Sequence, residues 1–271
     1  MIGAITGDVI GSVYEWRRIK TKDFPLFTPK SRFTDDTVLT VALAEAILEG
    51  ADYPDLMRRY YHRHPNAGYG GMFRRWALDP QAAPYHSFGN GAAMRIAPAA
   101  YASRTLEEAL EKAAHFTSCT HDHPEGIKGA QATAAAVFMA RSGASRESIK
   151  SFVEDTFGYD LSRTLEEIRP HYRFDPTCQG SVPEAITAFL ESTSYEDAVR
   201  NAVSLGGDSD TLACMTGAMA EAFYGGVPEE TARRALGLLT DDLLGVTVRF
   251  VGEVMVPGGH RWYPWLLSLP R

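Results

Sequence analysis

Two short acidic runs carry the clearest chemistry in this chain: Phe33-Thr34-Asp35-Asp36-Thr37 and Gly206-Gly207-Asp208-Ser209-Asp210-Thr211. Each opens a stretch of small, apolar residues that reads as a buried helix. Carboxylates crowded at the start of such helices repel one another and lose solvation, which is tolerable when a cation sits between them. A divalent metal site built from both runs is therefore implied. Oxygen donors from Asp and Thr are hard ligands, so magnesium, manganese or calcium is favoured over zinc or copper, and the number of oxygens leaves room for two ions. The competing explanation is ordinary helix capping, since Asp and Thr satisfy the first N–H groups and negative charge is welcome at a helix N-terminus. Capping explains one carboxylate per helix, and each run holds more than a cap requires.

A third feature points to the same place. Gly3, Gly7, Gly11 and Glu15 recur every four residues and line one face of an N-terminal helix. Glycine in a helix interior costs about 1 kcal/mol relative to alanine, so a stripe of them suggests close approach of another backbone. Glu15 continues that stripe, which directs its carboxylate toward the packed side. The alternative is an exposed Glu15 paired with Arg17, Arg18 or Lys20.

The elements that must position these groups are helical. Val38 to Glu49 is apolar almost all round and ends at Gly50, a residue suited to the left-handed position after a helix. Thr211 to Tyr224 carries small residues four apart, which lets helices approach closely. Helical spacing also marks Leu106 to Thr117, Gly126 to Arg141, Ser145 to Thr156, Pro183 to Glu191, Tyr195 to Leu205 and Glu229 to Leu239. Strand alternation is scarce. With 271 residues, 45% hydrophobic content and no linker or internal repeat, the chain is expected to form one all-α domain over residues 1 to 271. An orthogonal helical bundle with a central metal-binding cleft is the expected fold. The stretch from Val254 to Arg271, rich in Pro, Gly and aromatics, reads as an irregular tail.

Glycine-rich turns at Gly68-Tyr69-Gly70-Gly71-Met72-Phe73 and Gly89-Asn90-Gly91 can bring backbone N–H groups close to phosphate oxygens. Tyr69 and Phe88 stand beside these turns, where an aromatic is more often core. His121-Asp122-His123 resembles a metal motif, yet residues two apart do not face one way on a helix and no H-E-x-x-H is present. His62, His64, His86, His115, His171 and His260 have no supporting constellation.

Net charge excludes some classes. A value of -7 argues against broad, sequence-independent nucleic-acid binding. The basic run from Arg17 to Lys22 reads as solvated surface, with a lesser alternative that it helps hold a polyanionic substrate. Cys119, Cys178 and Cys214 form no C-x-x-C pair, so neither a disulfide framework nor a zinc ribbon is indicated. Asp8 and Glu15 interrupt the N-terminal apolar stretch, which does not read as a signal peptide, and no apolar run approaches bilayer-spanning length. A cytoplasmic setting is the expected default, with no membrane partner.

Gly7-Asp8-x-x-Gly11-Ser12-x-Tyr14-Glu15, the Phe33-to-Thr37 run, Ser87 to Arg95, Thr120-His121 and Gly207 to Thr211, in that order, resemble the ADP-ribosylglycohydrolase family. That resemblance covers residues 3 to about 224. It implies a binuclear magnesium or manganese centre held by Thr34, Asp35, Asp36, Asp208, Asp210 and Thr211. Glu15 matches the family's mobile glutamate, and the implied catalytic set is Glu15 with Asp35 and Asp36. Glutamate at that place occurs in the serine-directed branch and in some arginine-directed members, so it does not choose a substrate. Substrate contacts are implied for Gly70, Ser87, Phe88, Gly89, Asn90, Gly91 and His121; Phe88 stands where a relative has tyrosine.

The expected activity is metal-dependent hydrolysis of the glycosidic bond between ADP-ribose and an acceptor, with an ADP-ribosylated protein or other conjugate as partner. The linkage could be to arginine, serine, an acetyl ester, another ADP-ribose or a nucleic-acid end. Two rivals come from other classes. A non-catalytic ADP-ribose-binding or structural member is expected to have lost ligands, whereas all the matching positions are present. A magnesium-dependent nucleotide phosphohydrolase would use the same hard-oxygen centre on phosphorus. Oligomeric state is open, with a monomer as the default.

Overall fold

The structure, a computed structural model, describes residues 1–255 and 263–266. Its helices, in chain order, are α1 (Ile2–Gly11), α2 (Asp35–Glu49), α3 (Tyr53–Arg63), α4 (Gly71–Leu78), α5 (Gly91–Met94), α6 (Ala97–Tyr101), α7 (Leu106–Ser118), α8 (Pro124–Arg141), α9 (Arg146–Phe157), α10 (Leu165–Ile168), α11 (Cys178–Leu190), α12 (Tyr195–Ser204), α13 (Ser209–Tyr224), α14 (Glu229–Leu236) and α15 (Asp241–Phe250). A π-helical turn, Val251–Met255, follows. Among the described residues there is no strand, only an isolated bridge between Gly89 and Thr177. The fold is all-α. Most of the expected irregular tail, and His260, lie outside the described residues. Among the described residues no helix is long and apolar enough to cross a membrane.

Helix α13 is the axle. Every residue from Ser209 to Ala222 is buried, and α1, α8, α11 and α12 pack around it. Its most extensive partner is α1, itself buried along its whole length. The glycine stripe explains that pairing. A Cβ placed on Gly7 would lie 2.0 Å from the Ala213 carbonyl oxygen, and one on Gly3 would lie 2.3 Å from that of Gly217. No side chain fits there, so the two backbones touch.

The stripe does not run on as helix to Glu15. Helix α1 stops at Gly11, where a Cβ would meet the Ser209 carbonyl at 2.3 Å. The chain then turns, with Tyr14 N–H donating to Gly11 O at 2.8 Å and the Tyr14 hydroxyl donating to Pro25 O at 2.8 Å. Helix α2 ends as expected, at Gly50 with φ +60°. Helix α11 begins at Cys178, so Pro183 falls inside it rather than at its start. Thr177 caps the earlier start by accepting from Gly180 N–H.

Candidate metal centre and cleft

Asp8, on the face of α1 that meets α2, is fully buried and accepts from Thr34 N–H at 2.9 Å, Thr34 Oγ1 at 2.7 Å, Thr37 N–H at 3.2 Å and the Thr37 hydroxyl. This carboxylate holds the start of α2 against α1. Sequence reasoning missed it, because an acid within a glycine-rich apolar helix acquires its meaning only once α2 docks on it. Its one legible signal was an acidic residue in an otherwise uncharged buried helix.

The capping explanation for the acidic runs can now be judged. Thr34 is the N-cap of α2, its hydroxyl accepting from Asp36 N–H at 3.3 Å. Asp35 and Asp36 are therefore not needed as caps. Asp208 occupies the N-cap position of α13 but makes no side-chain capping bond. Its Oδ2 instead accepts from Asn90 Nδ2 at 2.8 Å. Asp36 and Asp210 come together across the two helix starts, whereas Asp35 is not part of that cluster.

Two groups of carboxylates have oxygens within 4.8 Å of one another: Asp8, Asp36 and Asp210, and Glu15, Asp208 and Asp210. Asp210 is common to both. Asp36 Oδ1 and Asp210 Oδ1 are buried and have no hydrogen-bond partner among the described residues, a costly condition for a charged acceptor. A hard divalent cation satisfies both oxygens with the donor chemistry such ions take, so these residues fit a metal. Asp8 has its oxygens largely taken by Thr34 and Thr37 and is better suited to positioning than to ligation. Thr211 Oγ1 lies 3.4 Å from Asp36 Oδ2, which closes the ring between the two helix starts.

The electrostatics agree. Burial first, then the charges of neighbouring aspartates, push Asp36 and Asp210 well above the ordinary carboxylate range. Burial also raises Asp8 and Asp208. Asp35 is raised from 3.8 to about 8, by burial and then by Asp8. Glu15 is raised from 4.5 to about 7 by burial and by Asp208, with Arg32 opposing. A bound cation would reverse the direction, since opposite charge favours the ionised form.

A cleft of about 470 Å3 opens over these groups, within the size range of small-molecule sites. Glu15, Thr34, Asp35, Asp36, Asp208, Asp210 and Thr211 line it, as do Gly70, Ser87, Gly89, Asn90, Gly91 and His121. Phe88 does not. It is 43% exposed, and its ring sits 5.2 Å from that of His123 on the outside of the loop. Tyr69 is core, stacked on Phe73 at 5.1 Å. Sequence reasoning also passed over Arg32, Arg75, Tyr85 and Phe174, which line the cleft without any motif to mark them.

The loop 87–91 is pinned from below. Asn90 N–H donates to Pro176 O at 2.8 Å, Cys178 N–H donates to Phe88 O at 2.9 Å, and Ser87 Oγ accepts from Gly89 N–H at 3.1 Å. His121 stands beside this loop. Its Nδ1 lies 2.8 Å from Thr120 Oγ1 and 3.5 Å from Arg95 Nη2, and Arg95 donates to Thr120 Oγ1 at 2.6 Å. Burial and Arg95 hold the imidazole well below its usual pKa, so the ring is neutral. With donors facing Nδ1, the proton resides on Nε2, the atom nearest Gly89 and Gly91. His121 is thereby a hydrogen-bond donor beside the cleft.

Comparison with known proteins follows the geometry. Human ADP-ribosylhydrolase ARH3 is 28% identical over an alignment covering 93% of this chain and 92% of the human protein. ADP-ribosylarginine hydrolase Tri1 of Pseudomonas putida is 25% identical, covering 85% of this chain and 71% of that protein. A solved structure described as an ADP-ribosylglycohydrolase-related protein complex has a TM-score of 0.67 and 26% identity, covering 94% of this chain and 96% of that one. The ADP-ribosylglycohydrolase family itself matches residues 1–258, nearly the whole chain and both acidic helix starts, so the chain belongs to the ADP-ribosylglycohydrolase family.

Proposed function

We propose that this protein is a divalent-metal-dependent hydrolase that cleaves the bond between the anomeric carbon of ADP-ribose and its acceptor, releasing ADP-ribose. The observation that carries this reading is the convergence of two helix starts, far apart in sequence, whose unpartnered carboxylate oxygens face one cleft that also contains the glycine loop 87–91. Two magnesium or manganese ions would be held by Thr34, Asp35, Asp36, Asp208, Asp210 and Thr211, with Asp210 shared. Such ions, when bound, supply fixed positive charge and Lewis acidity for ordering sugar hydroxyls and water.

The chain's own residues do the rest. The Gly91 N–H and the backbone N–H groups at the start of α4 next to Gly70 suit the pyrophosphate, and His121 Nε2–H would donate to a ribose oxygen. Glu15, half-buried at one wall, activates water or handles the proton of the departing acceptor. Glycosidic cleavage passes through an oxocarbenium-like state, and the carboxylates around the cleft favour that positive charge. The relatives named for ADP-ribosylarginine and ADP-ribosyl hydrolysis make protein side chains the first acceptors to examine.

The test is release of product from matched arginine-linked and serine-linked ADP-ribosyl peptides, with magnesium, manganese or a chelator, read by mass spectrometry. Chelator-sensitive appearance of free ADP-ribose is expected from at least one. AMP or phosphate as product would transfer the site to phosphohydrolase chemistry, and intact substrate in every arm, other ADP-ribose linkages included, would leave a binding protein.

A further inference from the structure

Beside the cleft, the segment following α1 meets the segment between α10 and α11. Trp16, next to Glu15, is 74% exposed and stacks on Phe174 with ring centroids 6.3 Å apart and planes at 22°. The Arg18 guanidinium lies 5.2 Å over the same Phe174 ring. Phe174 is a shared wall: it lines the main cleft and also an adjoining groove of about 250 Å3 that contains His171 and Arg173.

We propose that this rim is a docking surface for acidic polypeptide flanking the modified side chain of the acceptor, an inference that rests on the hydrolase reading above. Charge carries the argument. Asp175 and Arg163, which also line the groove, are occupied: Asp175 accepts from Thr177 N–H at 2.9 Å and from its hydroxyl at 2.7 Å, and Arg163 pairs with Glu184 at 2.9 Å. Arg18 and Arg173 have no ion-pair partner among the described residues, and both are exposed, as is His171. On a chain of net charge -7, this is a local positive face whose complement is an acidic segment.

The surface is also preformed. Lys20 Nζ donates to Tyr172 O at 2.6 Å and to Leu205 O, tying the two segments together. Tryptophan and arginine are the residue types that most often anchor protein interfaces. Glu15 and Phe174 both line the cleft, and Trp16, the residue after Glu15, stacks on Phe174, so the rim adjoins the cleft wall. A peptide is favoured over nucleic acid because the groove holds only about 250 Å3 and the chain carries a net charge of -7, whereas a phosphate backbone is tracked by an extended basic stripe.

The experiment measures fluorescence anisotropy of two labelled ADP-ribosyl peptides, one with Asp and Glu flanks and one with Ser and Gln flanks, at about 50 mM and about 500 mM salt. The acidic peptide is expected to bind about tenfold more tightly at low salt, and the advantage to collapse at high salt. Arg173→Glu and, separately, His171→Glu should reduce that advantage, while Arg173→Lys keeps it; thermal melting checks that each variant is folded. Equal affinity of the two peptides, or an advantage untouched by both glutamate substitutions, would overturn the proposal. So would tighter binding of an ADP-ribosylated oligonucleotide than of the acidic peptide. Hydrolysis of an ADP-ribosyl amino acid without flanks is read in parallel: its absence would count against the hydrolase reading, while anisotropy still reports docking.

Discussion

Replacing Asp210 by Asn should change stability in opposite directions with and without metal, and this contrast separates a metal centre from a set of helix caps. Asp210 is 5% exposed and belongs to both carboxylate groups, with oxygens within 4.8 Å of those of Asp36 and Asp208. At that separation two ionised carboxylates repel by about 3 kcal/mol even at an effective dielectric of about 20. Partial protonation relieves much of this, leaving a gain of about 1–2 kcal/mol when one charge is removed from the metal-free protein at neutral to alkaline pH. For a chain of this size each kcal/mol shifts Tm by about 2 °C, so chelator-treated Asp210→Asn should melt about 2–4 °C above the chelator-treated parent. The parent should gain about 2.7 kcal/mol, or about 5 °C, when magnesium or manganese is supplied at about a hundred times its dissociation constant. The variant should lose most of that gain, because the shared ligand is gone. Differential scanning fluorimetry across a metal titration measures both effects. A metal-free variant less stable than its parent, together with an unchanged metal response, would refute the reasoning and return Asp210 to a capping role.

Glu15→Gln should lower turnover by at least about a hundredfold while leaving metal and ADP-ribose binding largely intact; near-normal turnover would exclude Glu15 from the chemistry. Asn90→Ala removes the 2.8 Å hydrogen bond to Asp208 and should weaken metal affinity about tenfold, as read by calorimetric titration; unchanged affinity would show that Asp208 needs no such support. Gly7→Val places a branched side chain where a Cβ already lies 2.0 Å from Ala213 O, which should cost about 3 kcal/mol or more, and a denaturant midpoint equal to the parent's would contradict the packing described for α1 and α13. In metal-free protein, Glu15 and Asp35 have folded-state pKa values raised from 4.5 and 3.8 to about 7 and about 8, so the folded state keeps protons that the unfolded chain has released. Their contribution is present near pH 4 and is lost as pH rises through 7 to 8. Tm of the chelated protein should accordingly fall between pH 5 and pH 8.5, and a rise over that window would be inconsistent with the buried carboxylates.

The parts of the site that were legible in sequence are those whose signal is local. A Thr followed by two Asp and an apolar run announces the start of α2 whatever the rest of the chain does, and Gly50 announces its end. The glycine stripe was legible because repeated helix-breaking residues need a structural reason, and contact with Ala213 and Gly217 supplies it. What escaped depends on partners distant in sequence. Asp8 makes sense only with Thr34 and Thr37 around it, and Asn90 reaches Asp208 across 118 positions. Phe88 fails for the complementary reason: its neighbours lie in the cleft, but the turn of the loop sends its ring outward. Pro183 misled the start of α11 because proline is favoured in the first turn of a helix, whereas here it lies inside Cys178–Leu190, whose start is capped by Thr177.

The placement of the acidic groups explains why buried, closely packed helices carry the site. Buried, mutually repelling carboxylates push apart whatever carries them, and on loops they would do so. Here α13 cannot retreat, because its backbone is already in contact with that of α1 at Gly3, Gly7 and Gly11. Nor can α2 retreat, because Asp8 on α1 holds both N–H groups and hydroxyls of its first turn. One helix therefore fixes both halves of the centre: through absent side chains on one face and through a single carboxylate on another. Burial, and then the repulsion that remains, raise the carboxylate pKa values at the cleft, and a cation that relieved both would bind without first having to gather its ligands, which is the advantage of a preorganised site.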